Sequence, residues 1–145
     1  MVKIDKEKSS FEFEGYAIGG LKSHTGKFEE FDAEIEKKEN KIKSIKGTAK
    51  TSSVNTGINA LNAHLKSEHF FHSEKYPIIE FKSKKIENNI LIGDLTFKGM
   101  AREITFPIEI SENKISADFK LNLENFNFNP IMAKKEVKIK FNFVF

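Results

Sequence analysis

Apolar and polar residues alternate along most of this chain with a period of two. The alternation is clearest near the C-terminus, where lysines separate Val137, Ile139 and Phe141. A period of two places apolar side chains on one face of a strand and polar side chains on the other, as in antiparallel sheets that cover a core. The pattern therefore predicts an all-β chain.

The alternating segments predict eight strands and mark where they turn. The parity slips between Phe28 and Phe31 and again between Ile42 and Ile45, and a β-bulge at each place would restore it. The strands cover residues 9–17, 27–37, 41–53, 77–87, 90–98, 103–111, 114–124 and 136–145. Turn signals lie between them at Glu39-Asn40, Asn88-Asn89, Gly99 and Glu112-Asn113.

One segment, residues 57–68, departs from the alternation and predicts a short helix between the third and fourth strands. Ile58, Leu61 and Leu65 follow helical spacing there, and Thr56 or Asn59 could cap its start. Consecutive hairpins with one apolar face must close into a sandwich or a barrel. We therefore expect a single all-β domain over residues 1–145 with one short helix, either a sandwich or an eight-stranded antiparallel β-barrel.

Phenylalanine is the unusual component, with 15 residues and no tryptophan. Phenylalanine favours strands and is wholly apolar, so these side chains form either a packed core or the wall of a cavity. A barrel of eight strands is the size that either fills with its own side chains or holds one small ligand. Periodicity alone cannot separate the two, because both need apolar inward faces.

Composition excludes several classes of function. The chain has no cysteine, which excludes disulfides and thiolate chemistry, and its net charge is only +3. Arg102 is the single arginine, so we expect no nucleic-acid partner. No apolar stretch is long enough for stable membrane insertion. The N-terminus shows no signal peptide, so we expect a cytoplasmic protein, or a periplasmic one if a signal has been removed.

Catalytic and metal motifs are weak. His64, His69 and His72 lie within nine residues of one another, but their spacing fits no known zinc motif, and we expect no metal and no cofactor. No nucleophile elbow, phosphate-binding loop or dinucleotide fingerprint is present. We therefore expect a protein that is not an enzyme, with a cryptic hydrolase or isomerase as the alternative that a buried titratable pair would favour.

Three stretches resemble the YceI-like family. The first, SSVNTGINALNAHLKSEHFFHSEKYPIIEF, runs from Ser52 to Phe81, and the second, GDLTFKGMAREITFPIEI, from Gly93 to Ile110. The third, weaker stretch is Ser9 to Phe13 with Gly26, Phe28 and Phe31. The chain departs from the family pattern where His69 and His72 replace acidic residues beside Phe-Phe.

The resemblance implies a lipocalin-like barrel that holds an isoprenoid or another long-chain lipid, and family members often pair as homodimers. The expected ligand-binding residues are ten apolar side chains and two polar ones near the helix, Asn62 and His64. Lys66 and His72 are further headgroup candidates, although a helix cap or a solvated residue explains each of these polar groups as well. The ten apolar residues are Phe11, Phe13, Phe28, Phe70, Phe71, Ile79, Phe81, Phe97, Phe119 and Phe141.

The sequence therefore favours a protein that binds, stores or transports a polyisoprenoid or isoprenoid quinone. Burying one methylene from water contributes about 0.8 kcal/mol, but a lipid taken from a bilayer gains little from hydrophobicity, because bilayer tails are equally apolar. Selectivity must then come from fit and from polar groups at the mouth. A fatty acid or fatty amide is a close variant, and a ligand-free stress or interaction protein with a packed core is the alternative.

Overall fold

The computed structural model describes residues 1–16, 23–130 and 134–145. These residues form twelve strands and one α-helix. The strands are β1 (Val2–Lys3), β2 (Ser10–Tyr16), β3 (Ser23–Phe28), β4 (Phe31–Lys38), β5 (Lys41–Lys50), β6 (Val54–Asn55), β7 (Ile78–Glu87), β8 (Ile90–Phe97), β9 (Met100–Pro107), β10 (Glu109–Ser111), β11 (Lys114–Asn122) and β12 (Glu136–Val144). The helix, α1 (Asn59–Lys66), lies between β6 and β7, and 3₁₀ turns occupy Thr51–Ser53 and Leu123–Phe126.

The strands form two six-stranded antiparallel sheets. One sheet has the order β1-β4-β5-β7-β8-β9, and the other has the order β10-β11-β12-β2-β3-β6. All-β architecture with one short helix is confirmed, but the prediction of eight strands in a single closed sheet is wrong. Two of the predicted strands, 27–37 and 103–111, are each divided, because the chain changes sheet between β3 and β4 and again at Ile108, between β9 and β10.

The crossing at Ile108 was hidden because the parity continues through it. Phe106 on β9 and Ile108 at the change of sheet are both buried. Ile110 has the same parity as Phe106 and Ile108, but it is 40% exposed on the short edge strand β10. A period of two fixes which side a residue faces and does not reveal which sheet its strand joins.

The two predicted bulges have different outcomes. The slip between Ile42 and Ile45 is confirmed as a register shift, because Glu36 pairs with Ser44 whereas Lys37 pairs with Ile42. The slip between Phe28 and Phe31 is a turn, so the bulge predicted there is wrong and β3 and β4 are separate strands. β3 has a weak apolar pattern because Gly26 takes one of its inward positions.

The predicted helix is confirmed with shorter bounds, but neither predicted cap is used. Ile58 occupies the N-cap position without a side-chain hydrogen bond. Leu65 is buried and Leu61 half-buried, whereas Ile58 is 46% exposed. The helix therefore covers one end of the sheets with its C-terminal half. No helix among the described residues is long and apolar enough to span a membrane.

Side chains from both sheets meet in two clusters of buried residues. One contains Ile35, Leu91, Ile115 and Phe141, and the other, on the helix side, contains Leu65, Phe71, Phe97 and Val137. Half-buried aromatic residues such as Phe11 contact both clusters. The sheets therefore face each other across an interior that runs from the helix to the opposite end.

Candidate functional site

An apolar cavity of about 110 Å³ lies between the two sheets. All ten apolar residues predicted from the sequence line it. The remaining lining residues are Asp32, Ile45, Gly47, Thr48, Ala49, Leu91, Leu95, Ile104, Phe106, Leu121, Leu123, Val137, Ile139 and Phe143. Six residues of this second set share a strand and its parity with a predicted residue, which is the signal that would have found them: Leu91, Leu95, Leu121, Val137, Ile139 and Phe143. That the ten residues contact a ligand stays a prediction.

The cavity wall offers almost nothing polar. Asp32 is the only titratable residue among the lining positions in the part of the chain that the structure describes. Its Oδ1 accepts a hydrogen bond from the Ala33 amide at 2.9 Å, and its Oδ2 lies 3.6 Å from the Lys6 ammonium. The lining therefore carries no pair of titratable groups that would support the hydrolase or isomerase alternative. Cavities with apolar walls stay dry and accept apolar ligands.

Aromatic rings make most of the wall through edge and face contacts. Phe28 and Phe71 lie 5.6 Å apart between ring centroids, and Phe106 stacks on Phe119 at 4.1 Å. The Phe106–Phe119 stack joins β9 and β11, which belong to different sheets. Such pairs contribute about 0.5–1.5 kcal/mol each beyond the area that they bury, so the wall is held in shape by the same rings that face the cavity.

The polar candidates near the helix lie elsewhere. Asn62 Oδ1 accepts hydrogen bonds at 2.7 Å from both the amide and the hydroxyl of Thr56, and its amide nitrogen donates to Asn55 at 3.3 Å. His64 is exposed, with its ring centroid 6.0 Å from that of His69. Neither Asn62 nor His64 is among the cavity-lining residues, and their contact with a headgroup stays a prediction.

The histidines and acidic residues do not gather into a metal centre. No group of three or more such side chains among the described residues is arranged to hold an ion. His72, another headgroup candidate, is half-buried, and its ring centroid is 5.9 Å from that of Tyr76. Lys66, the remaining candidate, is exposed on α1.

Sequence reasoning missed Lys98, which stands at the helix end of the cavity. It lies in the turn between β8 and β9, directly after the lining residue Phe97, and its ammonium donates a hydrogen bond to the carbonyl of Phe70. The ammonium is also 4.2 Å from the ring centroid of Phe128. Partial burial lowers the pKa of Lys98. A single lysine among many carries no sequence signal for such a position.

The YceI-like domain model matches residues 2–145 of this chain. The chain is 34% identical over 136 residues to UPF0312 protein SA2479 of Staphylococcus aureus strain N315, covering 79% of this chain and 80% of that protein.

The fold is shared with solved structures of other proteins. BcnA of Burkholderia cenocepacia matches with a TM-score of 0.87 and 23% identity, over 98% of this chain and 99% of the other. A polyisoprenoid binding domain from Saccharophagus degradans matches with a TM-score of 0.77 and 13% identity, over 97% and 95% of the two chains. The architecture is therefore retained where few residues are shared.

Proposed function

Since this chain belongs to the YceI-like family, we propose that it binds a long-chain apolar lipid in the cavity between its two sheets. The observation that carries the proposal is the cavity itself, a space of about 110 Å³ with an almost wholly apolar, largely aromatic wall. The description of the Saccharophagus degradans neighbour as a polyisoprenoid binding domain supports the same class of ligand. In this proposal the two sheets act together as a lipocalin-like container.

The size of the cavity limits the chain that it accepts without rearrangement. An apolar cavity of about 150 Å³ holds one benzene molecule, so a cavity of about 110 Å³ has room for roughly four or five carbons. One isoprene unit fits the present shape, and a longer chain requires lining rings to move.

Native mass spectrometry of the purified protein tests the proposal directly. A stoichiometric adduct is expected, and organic extraction with mass analysis separates an isoprenoid from an acyl chain. The apo protein is then titrated with prenols and fatty acids of increasing length. A clean apo mass that no member of either series changes would contradict lipid binding and leave the packed-core interaction protein as the better hypothesis.

A matched pair of variants on β8 ties the adduct to this cavity. Leu95 lines the cavity, and the next residue, Thr96, is absent from its wall. Leu95→Trp fills part of the space and is expected to remove the adduct, whereas Thr96→Trp is expected to retain it. Circular dichroism of both variants shows that the fold is kept. If both variants retain the adduct to the same extent, the lipid binds outside this cavity.

A further inference from the structure

Lys98 is unusual among the lysines because it is partly withdrawn from water. Its side chain is half-buried, and desolvation lowers the pKa of its ammonium. Only one hydrogen-bond acceptor is described for it, the carbonyl of Phe70, although an ammonium has three donors. The face of Phe128 attracts the charge at 4.2 Å but accepts no conventional hydrogen bond. The ammonium therefore has donor capacity that its protein neighbours leave unused.

A second cation lies close to the Tyr76 ring. The Lys98 ammonium lies 6.0 Å from the Tyr76 ring centroid, and the Lys75 ammonium lies 5.3 Å from it. The Lys98-Gly99 turn packs on this ring, since a Cβ built at Gly99 would be 3.0 Å from Tyr76 Cε1. The contact fixes the turn, and with it the backbone of Lys98, beside the tyrosine.

Neither of these two lysines has an anionic partner. Among the residues that the structure describes, no carboxylate forms an ion pair with Lys75 or Lys98. On the outer face of the first sheet, by contrast, Lys84 lies 3.1 Å from Asp94 and 3.0 Å from Glu103, and the hydrogen bonds to both raise its pKa. Two unpaired cations, one of them partly desolvated, constitute a local excess of positive charge.

This charge lies beside the end of the lipid cavity. Phe70, whose carbonyl accepts from Lys98, lines the cavity, and so does Phe97, the residue before Lys98. Phe128 contacts both rings, at centroid distances of 5.1 Å from Phe70 and 5.8 Å from Phe97. One layer of aromatic rings therefore separates the Lys98 ammonium from the apolar space. An extended amphiphile whose tail fills the cavity can place its head beside Lys98 when these rings part.

We infer that Lys98 and Lys75 form the headgroup site for an amphiphile whose head is an anion, either a carboxylate or a phosphate monoester. The site binds an amphiphile with a neutral head, such as an alcohol, an amide or a quinone, less tightly. The inference rests on the proposed lipid binding. Charge-assisted hydrogen bonds to such a head would occupy the free donors of Lys98 and offset its desolvation.

The test compares ligands that share a tail and differ only in the head. Decanoate is compared with decanamide, and geranyl phosphate with geraniol, by calorimetric titration of the delipidated protein at neutral pH. We expect each anion to bind about tenfold more tightly than its neutral partner, the usual scale of a hydrogen bond to a charged group. The carboxylate and phosphate pairs together show which anion the site prefers.

Substitutions test whether the two lysines cause the preference for anionic ligands. Lys98→Met and Lys75→Met should each lower the anion-to-neutral ratio several-fold without weakening the neutral ligands, whereas Lys98→Arg should keep the ratio. Lys120→Met is the matched control, because Lys120 is an outward lysine whose ammonium lies 3.9 Å from Glu136.

Two results would overturn the inference, and they differ from each other. Equal binding of anionic and neutral ligands, or a ratio that Lys98→Met leaves unchanged, rejects the headgroup site and leaves the lipid cavity intact. Failure of all four ligands to bind rejects the proposed function, and the inference with it.

Discussion

Glycines determine where two of the wall's aromatic rings lie. Gly26 pairs with Phe13 across β2 and β3, and a Cβ built on Gly26 would lie 2.5 Å from Cζ of that ring. A Cβ at Gly93 would likewise lie 2.5 Å from Cζ of Phe81. Both rings therefore occupy space over the sheet that a larger residue would fill, and the centre between the sheets stays empty.

Gly26→Ala is expected to push the Phe13 ring into the cavity. The added methyl cannot coexist with the ring in its present place, and overpacking of this kind costs about 1–3 kcal/mol. We expect a lower free energy of unfolding in urea and at least severalfold weaker lipid binding. The two effects share one cause, which is the loss of the niche that holds the ring.

Gly15→Ala on β2 is the matched control for this substitution. The nearest atom to a Cβ at Gly15 is Cγ1 of Val137 at 4.0 Å, so the methyl fits, and the loss of unfolded-state entropy can stabilise by about 0.4–1 kcal/mol. If Gly26→Ala and Gly15→Ala bind lipid equally, the Phe13 ring does not limit the cavity.

At the scale of elements, three hairpin turns hold both central residues at positive φ: Glu39-Asn40, Asn88-Asn89 and Lys98-Gly99. This conformation matches the twist of the flanking strands and suits asparagine and glycine. Glu39, at φ 54°, is poorly suited to it. The β4–β5 hairpin therefore carries avoidable backbone strain at one residue.

Glu39→Asn is expected to raise the free energy of unfolding by about 0.5–1 kcal/mol, because asparagine tolerates the left-handed conformation better than glutamate. Chemical denaturation measures the change. Glu36→Asn, on the exposed face of β4, should give no gain, since asparagine is depleted in strands. Stabilisation by both substitutions would point to the removal of a negative charge as the cause.

The same elements show how far the sequence predicts this fold. Turn chemistry and parity correctly predicted the hairpin positions and the inward face of β8, because each depends on neighbouring residues. β3 could not be predicted as a separate strand, since Gly26 takes an inward position and only Phe28 gives an apolar signal. The change of sheet at Ile108 depends on distant pairing, which parity does not record.

At the scale of the whole molecule, the sequence could not decide between a cavity and a packed core. The ten predicted apolar residues all line the space, but its volume depends on where each ring lies, as at Phe13 and Phe81. The two unpaired lysines were equally hidden, because Lys75 and Lys98 are far apart in sequence and share only Tyr76 as a neighbour. Whether a side chain points inward depends on its neighbours in sequence. The volume of a cavity and the pairing of charges depend on how the whole chain packs.

An empty apolar cavity should make the delipidated protein less stable than a filled one. At about 24 cal/mol per Å³, a cavity of about 110 Å³ corresponds to about 2–3 kcal/mol of lost packing. Leu95→Trp fills part of that space, so we expect delipidated Leu95→Trp to unfold at higher urea concentration than delipidated wild type. Added lipid should stabilise wild type by mass action and leave Leu95→Trp unchanged.

The two responses together separate a ligand cavity from an ordinary packing defect. If Leu95→Trp is more stable but lipid does not stabilise wild type, the cavity is a packing defect that the indole ring fills. That result would favour the hypothesis of a ligand-free interaction protein. If lipid stabilises Leu95→Trp as much as wild type, binding occurs outside the space between the sheets. Only a stabilised variant that has lost its response to lipid matches a cavity shaped for a ligand, because the indole ring and the lipid then compete for one volume.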